Sequence, residues 1–348
     1  METQIISQEE YKGRNLEREI DGAVVYDGDG DGTSAVAIWL MQNPGRYVAF
    51  TNQQKGEREL VKGVFKTIPA EYLQRKKCGV FDISAEQNLQ GLENLVQTAS
   101  EVDFIDHHTQ INVPNGIRNY AKPDSREIST AYLAYEAVKD RLDEKQKGKA
   151  IYLAILGLAN DGKESAAKKL FANQVEEEKM NKLVYFGKVL NYAANLGNTL
   201  NFSEVLKGLV ENDNILNYLE NSQVAQVAKE MEASLAGLKT KITKQTAKGV
   251  EVYSFPYGTE KDRVLATAAY SNYLNEKAAQ SSSGTYIGLI KIPEGKTRVA
   301  IRGPNALTLA GKLAQEYGAK HAGRETAAGF DTERQVKEGE LIEKLGGI

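Results

Sequence analysis

The chain has 348 residues, 41% hydrophobic and 26% charged, which is typical of a globular protein large enough for two domains. It contains no run of about 18 uncharged apolar residues, so we expect no membrane span. A single cysteine, Cys78, excludes an internal disulfide, and a polar, acidic start unlike a signal peptide predicts a cytoplasmic location. The net charge of −3 argues against a protein that coats duplex DNA through its overall field.

Strands and helices alternate over the first 165 residues. The predicted strands are GAVVYD, RYVAFTN, KCGVFDIS and EVDFIDHH. The predicted helices are DGTSAVAIWLMQN, RELVKGVFKTI, AEQNLQGLENLVQTA, SREISTAYLAYEAVKDRL and KGKAIYLAILGLAND. Strands separated by helices of this length indicate βαβ crossovers. We therefore expect an α/β domain over residues 1–165, built on a mostly parallel sheet flanked by helices.

Two changes of composition follow. From about Glu164 to Lys248 the chain is rich in Lys, Glu, Asn and Gln and has no proline, which predicts a helical linker or extension over residues 166–248. Beyond it the composition shifts again at GVEVYSFP, where YIGLIKI and RVAIRG read as two strands around the turn PEGKT and ALTLAGKLAQEYG as a helix. Residues 249–348 are thus predicted to form a smaller α+β domain.

The segment DGDGDGTS places Asp27, Asp29 and Asp31 directly after the first predicted strand. An EF-hand calcium loop would need a glutamate where Ile38 stands, so that motif is excluded. The spacing also fails the dinucleotide-binding glycine pattern, and carboxylates would repel a pyrophosphate. A polar, solvated loop is the simpler alternative for this segment alone.

Further ionisable residues end other predicted elements: Asp82, Asp106, His107, His108 and Asp161. In an open α/β sheet, ligands collect outside the carboxyl ends of the strands, so four ionisable side chains are expected to converge there: Asp29, Asp31, Asp82 and His107. Several carboxylates with one imidazole favour manganese or magnesium over zinc. The alternatives are a helix N-cap for Asp82, a helix C-terminal turn for Asp161, and one buried and one surface histidine.

These motifs resemble the DHH phosphoesterase superfamily, named for the triplet Asp106-His107-His108. The similarity covers four motifs in order, from Asp29-Gly30-Asp31 through Asp82 and the triplet to Asp161. RVAIRG and residues 322–330, AGRETAAGF, resemble the associated DHHA1 domain. The resemblance implies a DHH catalytic domain followed by a DHHA1 substrate-binding domain.

The resemblance also implies a two-manganese phosphoesterase, with magnesium as the other candidate ion. Asp29 would bind the first metal and Asp82 would bridge both. Asp31, His107 and Asp161 would complete the second site. A histidine used by some members is replaced here by Val25, and Asp27, placed as in the RecJ-like branch, is a further candidate ligand.

The last residues of the triplet have separate expected roles. His108 is a candidate donor to a phosphoryl oxygen as charge develops there. Asp106 is placed to orient a histidine. Both are therefore predicted catalytic residues.

Substrate binding is expected in the C-terminal domain. Arg302 ends a predicted strand, where its guanidinium suits a phosphate or a terminal carboxylate, although an exposed arginine is the simpler alternative. In the following motif Arg324 stands where the family has a histidine. The predicted substrate-binding residues are Arg302, Gly323, Arg324, Thr326, Ala327 and Ala328.

The favoured function is a manganese-dependent phosphodiesterase or exonuclease acting on single-stranded DNA, RNA or short oligonucleotides. The alternative substrates are small nucleotides: cyclic dinucleotides, linear dinucleotides or pAp. A non-catalytic nucleic-acid-binding replication or repair factor is a third hypothesis, which the complete acid set disfavours because acids without a metal repel one another. No membrane partner is expected, and a homodimer is left open.

Overall fold

The structure is a computed structural model. It describes residues 3–14, 20–51, 60–108, 113–121, 128–196, 199–239, 242–247, 249–255, 273–275, 277–278, 283–291 and 295–347. The chain divides into two compact units, Met1–Ala228 and Lys229–Ile348. Among the residues described, each unit has its own six-stranded sheet.

The sheet of the first unit is entirely parallel among the described residues. Its strands are β1 (Gln4–Ser7), β2 (Gly22–Tyr26), β3 (Arg46–Thr51), β4 (Lys77–Phe81), β5 (Glu101–Ile105) and β6 (Arg118–Asn119). They lie in the order β1-β3-β2-β4-β5-β6. The order changes direction around β2, and a switch of this kind is where α/β sheets place their ligands.

Helices connect and cover these strands. Those that alternate with the strands are α1 (Gln8–Arg14), α2 (Gly30–Leu40), α3 (Leu60–Thr67), α4 (Ala70–Leu73) and α5 (Ala85–Thr98). The later ones are α6 (Thr130–Val138), a 3₁₀ turn (Lys139–Arg141), α7 (Glu144–Asn160), α8 (Glu164–Phe171), α9 (Glu177–Leu196), α10 (Phe202–Glu211) and α11 (Ile215–Asn221). Helix α12 (Gln223–Lys239) includes residues of both units.

The strands beside the candidate site are buried on both faces. Every residue of β2 is buried, and so is every residue of α2. On one side of the sheet, residues such as Val25, Val80 and Phe104 join a single hydrophobic cluster. Because residues buried on both faces leave little freedom of register, this core fixes where each strand ends.

The second unit has a mixed sheet in the order β11-β12-β10-β9-β8-β7. Its strands are β7 (Thr243–Ala247), β8 (Val250–Phe255), β9 (Thr285–Lys291), β10 (Thr297–Arg302), β11 (His321–Arg324) and β12 (Ala327–Thr332). Strands β8 and β9 pair in parallel, and the other pairs are antiparallel. Helix α13 (Ala306–Glu316) follows β10, and α14 (Glu338–Gly347) follows β12.

The predicted fold class is confirmed: a parallel sheet flanked by helices, a helical stretch and a smaller α+β part. One prediction is wrong, because Thr243–Ala247, placed in the helical region, form the strand β7 paired with β8. The polar side chains of this edge strand gave no apolar alternation to detect. Within the described ranges, no helix is both long and apolar enough to cross a membrane.

Candidate metal centre

Asp29 sits between the end of β2 and the first turn of α2. It is the N-cap of α2, and its Oδ1 accepts hydrogen bonds from the backbone N–H of Asp31 at 2.9 Å and of Gly32 at 3.0 Å. Its Oδ2 accepts from Asn160 Nδ2 at 2.9 Å. Burial, with the nearby charges of Asp27 and Asp161, raises the pKa of Asp29 to about 7.

Asp31 is fully buried and faces the start of another helix. Its Oδ2 accepts from the N–H of Thr130 and its Oδ1 from the N–H of Ala131, each at 2.8 Å. These are the first residues of α6, whose positive helix terminus favours a carboxylate. Burial first, and the charges of Asp161 and Asp29 next, nevertheless raise the pKa of Asp31 well above its usual value.

Asp82 follows β4 with a left-handed backbone (φ 56°), a conformation that aspartate tolerates better than most residues. It is buried, and its Oδ1 accepts from Thr130 Oγ1 at 2.9 Å. The N-cap interpretation is wrong, because Ser84 holds the N-cap position of α5. Burial, followed by repulsion from Asp31 and Asp29, raises the pKa of Asp82 well above its usual value.

His107 follows β5 and brings its Nε2 to the acids of three other elements. This atom lies 3.2 Å from Asp161 Oδ2, 3.5 Å from Asp82 Oδ1 and 3.9 Å from Asp31 Oδ2. Burial lowers the pKa of His107 to about 4, against the opposing charge of Asp161. The ring is therefore neutral near pH 7, which is the form that binds metal ions.

Asp161 is the C-cap of α7, so the helix-end interpretation of this residue is correct, and its carboxylate also reaches the acid cluster. Two residues later, Lys163 donates to Asp161 Oδ2 at 2.9 Å and lies 3.1 Å from His107 Nδ1. The sequence reasoning missed Lys163, Asn160 and Thr130. Lys163 and Asn160 flank Asp161 in the chain, and that proximity was the available signal; nothing in the sequence indicated Thr130.

Within the part of the chain that the structure describes, the donors form three groups, in each of which the ligand atoms lie within 4.8 Å of one another. The groups are Asp27–Asp29–Asp82, Asp31–His107–Asp161 and Asp82–His107–His108. The first two groups have no residue in common, and the third shares Asp82 with the first and His107 with the second. Carboxylate oxygens with an imidazole suit a hard divalent ion, and buried acids with raised pKa values are the groups that such an ion would stabilise. The donor set therefore fits two neighbouring divalent ions.

His108 is held by Asp106. Its Nδ1 lies 2.7 Å from Asp106 Oδ1, and Asp106 is fully buried while about half of the His108 side chain is exposed. The hydrogen bond to Asp106 is the main cause that raises the pKa of His108. The ring that Asp106 contacts is therefore that of His108.

The predicted substrate-binding residues lie at one end of the second unit's sheet. Ala327 pairs with Arg302 on one side and with Arg324 on the other. Gly323 pairs with Ala328, which is buried, and Thr326 is exposed in the turn between β11 and β12. The structure therefore places five of the six residues on adjoining strands and Thr326 in the turn that joins two of them.

Arg302 is engaged within its own unit. Its Nε donates to Asn275 Oδ1 at 2.7 Å, and its Nη1 donates to the carbonyl of Ile301 at 2.9 Å. Gly323 has φ 141°, and a Cβ there would lie 2.4 Å from the Cα of Ala328, so the position requires glycine. The side chain of Arg324 lies outside the described part of the chain.

Comparisons with known proteins find likeness in structure. No protein-family model matches the chain, and no curated protein does. A solved DHH-domain protein, described as a member of the S1p family of ribosomal proteins, has a TM-score of 0.61 at 12% identity, covering 96% of this chain and 87% of that one.

Two further structures give lower scores. RecJ from Thermus thermophilus, solved in complex with Mn²⁺, has a TM-score of 0.49 at 17% identity, and the match covers 95% of this chain but 52% of RecJ. An exopolyphosphatase-related protein from Bacteroides fragilis has 0.44 at 12%, covering 96% and 93%. At such low sequence identities the similarity concerns the fold alone, and it rests on the DHH-domain protein, which has the highest TM-score of the three. The chain therefore has the fold of a DHH-domain protein, as its four motifs predicted.

Proposed function

We propose that the chain is a phosphoesterase that uses two manganese ions to hydrolyse phosphodiester bonds in single-stranded nucleic acid or short oligonucleotides. The observation that carries the proposal is the convergence of two separate donor groups, Asp27–Asp29–Asp82 and Asp31–His107–Asp161, in the first unit. Neither group needs a residue from the other, so two ions can be held side by side.

Asp82 is the natural shared ligand. It belongs to the first group, and its Oδ1 lies 3.5 Å from His107 Nε2 of the second. Asp29 and Asp27 would complete the first position, and Asp31, His107 and Asp161 the second. Manganese is favoured because an imidazole accompanies the oxygen donors, with magnesium as the alternative ion.

A pair of divalent ions supplies activation of water and charge neutralisation for an in-line displacement at phosphorus. The chain's own contribution would come from His108. Because Asp106 holds Nδ1 and raises the pKa of the ring, the doubly protonated form is favoured, and its Nε2 hydrogen would be the one donated to a phosphoryl oxygen. Arg302, at the end of β10 beside the small residues Ala327 and Ala328, would bind a substrate phosphate.

The first prediction concerns Asp82→Ala. Loss of the shared ligand should lower manganese-dependent hydrolysis by at least about a hundredfold, since removing even a residue that supports a ligand costs about 10–100-fold. Hydrolysis is measured on a labelled single-stranded 20-mer. The control is Asp213→Asn, which removes a carboxylate of an exposed ion pair with Lys145 and should leave the rate unchanged.

The same assay identifies the substrate. Parallel reactions with a linear dinucleotide, a cyclic dinucleotide and pAp decide between oligonucleotides and small nucleotides. Full activity of Asp82→Ala would contradict the metal assignment. Manganese binding without hydrolysis of any of the four substrates would contradict the proposed reaction and favour a nucleic-acid-binding role.

A further inference from the structure

Lys163 lies inside the candidate metal centre, yet the motifs and the proposed chemistry give it no role. Only 15% of its side chain is exposed. Its ammonium has three acceptors for its three hydrogens: the carbonyl of Ile128 at 2.6 Å, Asp161 Oδ2 at 2.9 Å and His107 Nδ1 at 3.1 Å. A largely buried cation with an acceptor for each of its hydrogens is held in one place.

This arrangement selects one form of the His107 ring. An ammonium group donates hydrogen bonds and accepts none, so His107 Nδ1 is the acceptor of the bond from Lys163. The single hydrogen of the neutral ring then lies on Nε2, which faces Asp161 Oδ2 at 3.2 Å. Every N–H of the Lys163 ammonium and of the His107 ring then has an acceptor, and Asp161 accepts from both residues. This network needs no metal ion.

A metal ion at the second position needs the opposite form of the ring. Nε2 is the His107 atom that faces Asp31, Asp82 and Asp161, so it is the atom that would bind the ion. Binding requires a lone pair on Nε2, which puts the ring hydrogen on Nδ1. Lys163 cannot accept that hydrogen, so its bond to His107 must break.

We propose that Lys163 is an internal competitor for the second metal ion, and this inference rests on the two-metal function proposed above. When the ion binds, the ring hydrogen passes through solvent from Nε2 to Nδ1 with no net gain or loss of protons, and the ammonium leaves Nδ1. Lys163 also places a positive charge beside the dication. It is thus a positioning residue that weakens the second metal position relative to the first.

The test is a calorimetric titration of the full chain with MnCl₂. Lys163→Met and Lys163→Gln remove the charge, and glutamine can also accept the hydrogen of Nδ1. Both should tighten the weaker manganese-binding event by at least about tenfold, as expected for removal of one charge near a dication. Lys145→Met makes the same change of charge in an exposed ion pair and should leave both events unchanged.

Nitrogen-15 NMR of the imidazole rings gives a second readout, and it is tractable because the chain has three histidines. In the metal-free wild type the His107 hydrogen should lie on Nε2. Saturation with Mg²⁺, which does not broaden the spectrum, should move it to Nδ1. A residue that merely supports Asp161 would not fix the ring form.

Three results have distinct meanings. Equal or weaker manganese binding in both Lys163 variants overturns the competition, because a supporting lysine gives that result. A metal-free wild type with the hydrogen on Nδ1 also overturns it. Absence of manganese binding in the wild type overturns the metal centre itself, and the inference with it.

Discussion

Asp29 shows how one residue serves both the fold and the proposed chemistry. It caps α2 with Oδ1 and accepts from Asn160 with Oδ2, yet burial and neighbouring acids disfavour its charged form. Burial and neighbouring acids likewise disfavour the charged forms of Asp31 and Asp82. Because burial of like charges is unfavourable, the metal-free protein gives up stability at this cluster that a bound dication would restore.

A pH dependence follows from Asp29. The pKa of Asp29 is about 7 in the folded protein, against an ordinary value of 3.8, so the folded state binds more protons than the unfolded state between those pH values. The free energy of unfolding of the metal-free protein should therefore fall as pH rises through that window, by about 1.4 kcal/mol per unit of pKa difference. The lowered pKa of His107 acts in the opposite direction, favouring the folded state as pH rises from about 4 to 6.5.

Asp29→Asn isolates this contribution, because asparagine keeps the N-cap acceptor and removes the titration. In urea unfolding with EDTA at pH 4.5 to 8, the variant should gain stability relative to the wild type as pH rises. The effect of His107 is common to both proteins and largely cancels in the difference. Parallel pH curves for the two proteins would contradict the shifted pKa, and saturating Mn²⁺ should remove the wild type's disadvantage.

At the level of elements, α7 owes its position to a glycine. A Cβ on Gly157 would lie 2.4 Å from Asp31 Oδ1 and 2.5 Å from the Cβ of Ala131. The absence of a side chain therefore lets α7 approach both the acid and the first turn of α6. The geometry of the candidate metal centre depends on this close packing of two helices as much as on the strand ends.

Gly157→Ala should lower the free energy of unfolding by about 1–3 kcal/mol, because the added methyl group forces α6, α7 or Asp31 to move. It should also weaken manganese binding. Gly148→Ala is a matched control in the same helix, since nothing lies within 4 Å of its added Cβ, and it should stabilise the protein by about 1 kcal/mol. Urea unfolding and calorimetry measure both effects, and equal behaviour of the two variants would exclude the packing argument.

The elements that the sequence predicted are those with a strong apolar pattern. β2, β4 and β5 are buried runs of β-branched and aromatic residues, and the structure confirms them. β1, with four residues and polar ends, was not predicted because its pairing with β3 supplies the stabilisation. The hairpin of β11 and β12 consists largely of small residues and likewise gives no periodic signal.

For the whole molecule, topology explains how the sequence could point to a cluster of candidate ligands. The carboxyl ends of parallel strands lie at one edge, so residues from Asp27 to His107 converge whatever their spacing. Asn160, Thr130 and Lys163 act through the packing of helices that follow the sheet. Contacts of that kind depend on three-dimensional packing, which no local pattern encodes.

The location of every candidate ligand in the first unit leads to a prediction for the intact chain. An ion that binds the folded form alone stabilises it by about 2.7 kcal/mol at a hundred times its dissociation constant. Saturating Mn²⁺ should therefore slow amide hydrogen exchange in α2, α6 and α7, which carry or hold the ligands, and leave β9 and β10 of the second unit unchanged. Hydrogen exchange read by mass spectrometry resolves these segments. Asp82→Ala is the control, since without the shared ligand Mn²⁺ should give little protection anywhere. In the wild type, protection of β9 and β10 equal to that of α2, α6 and α7 would place the ion outside the proposed centre.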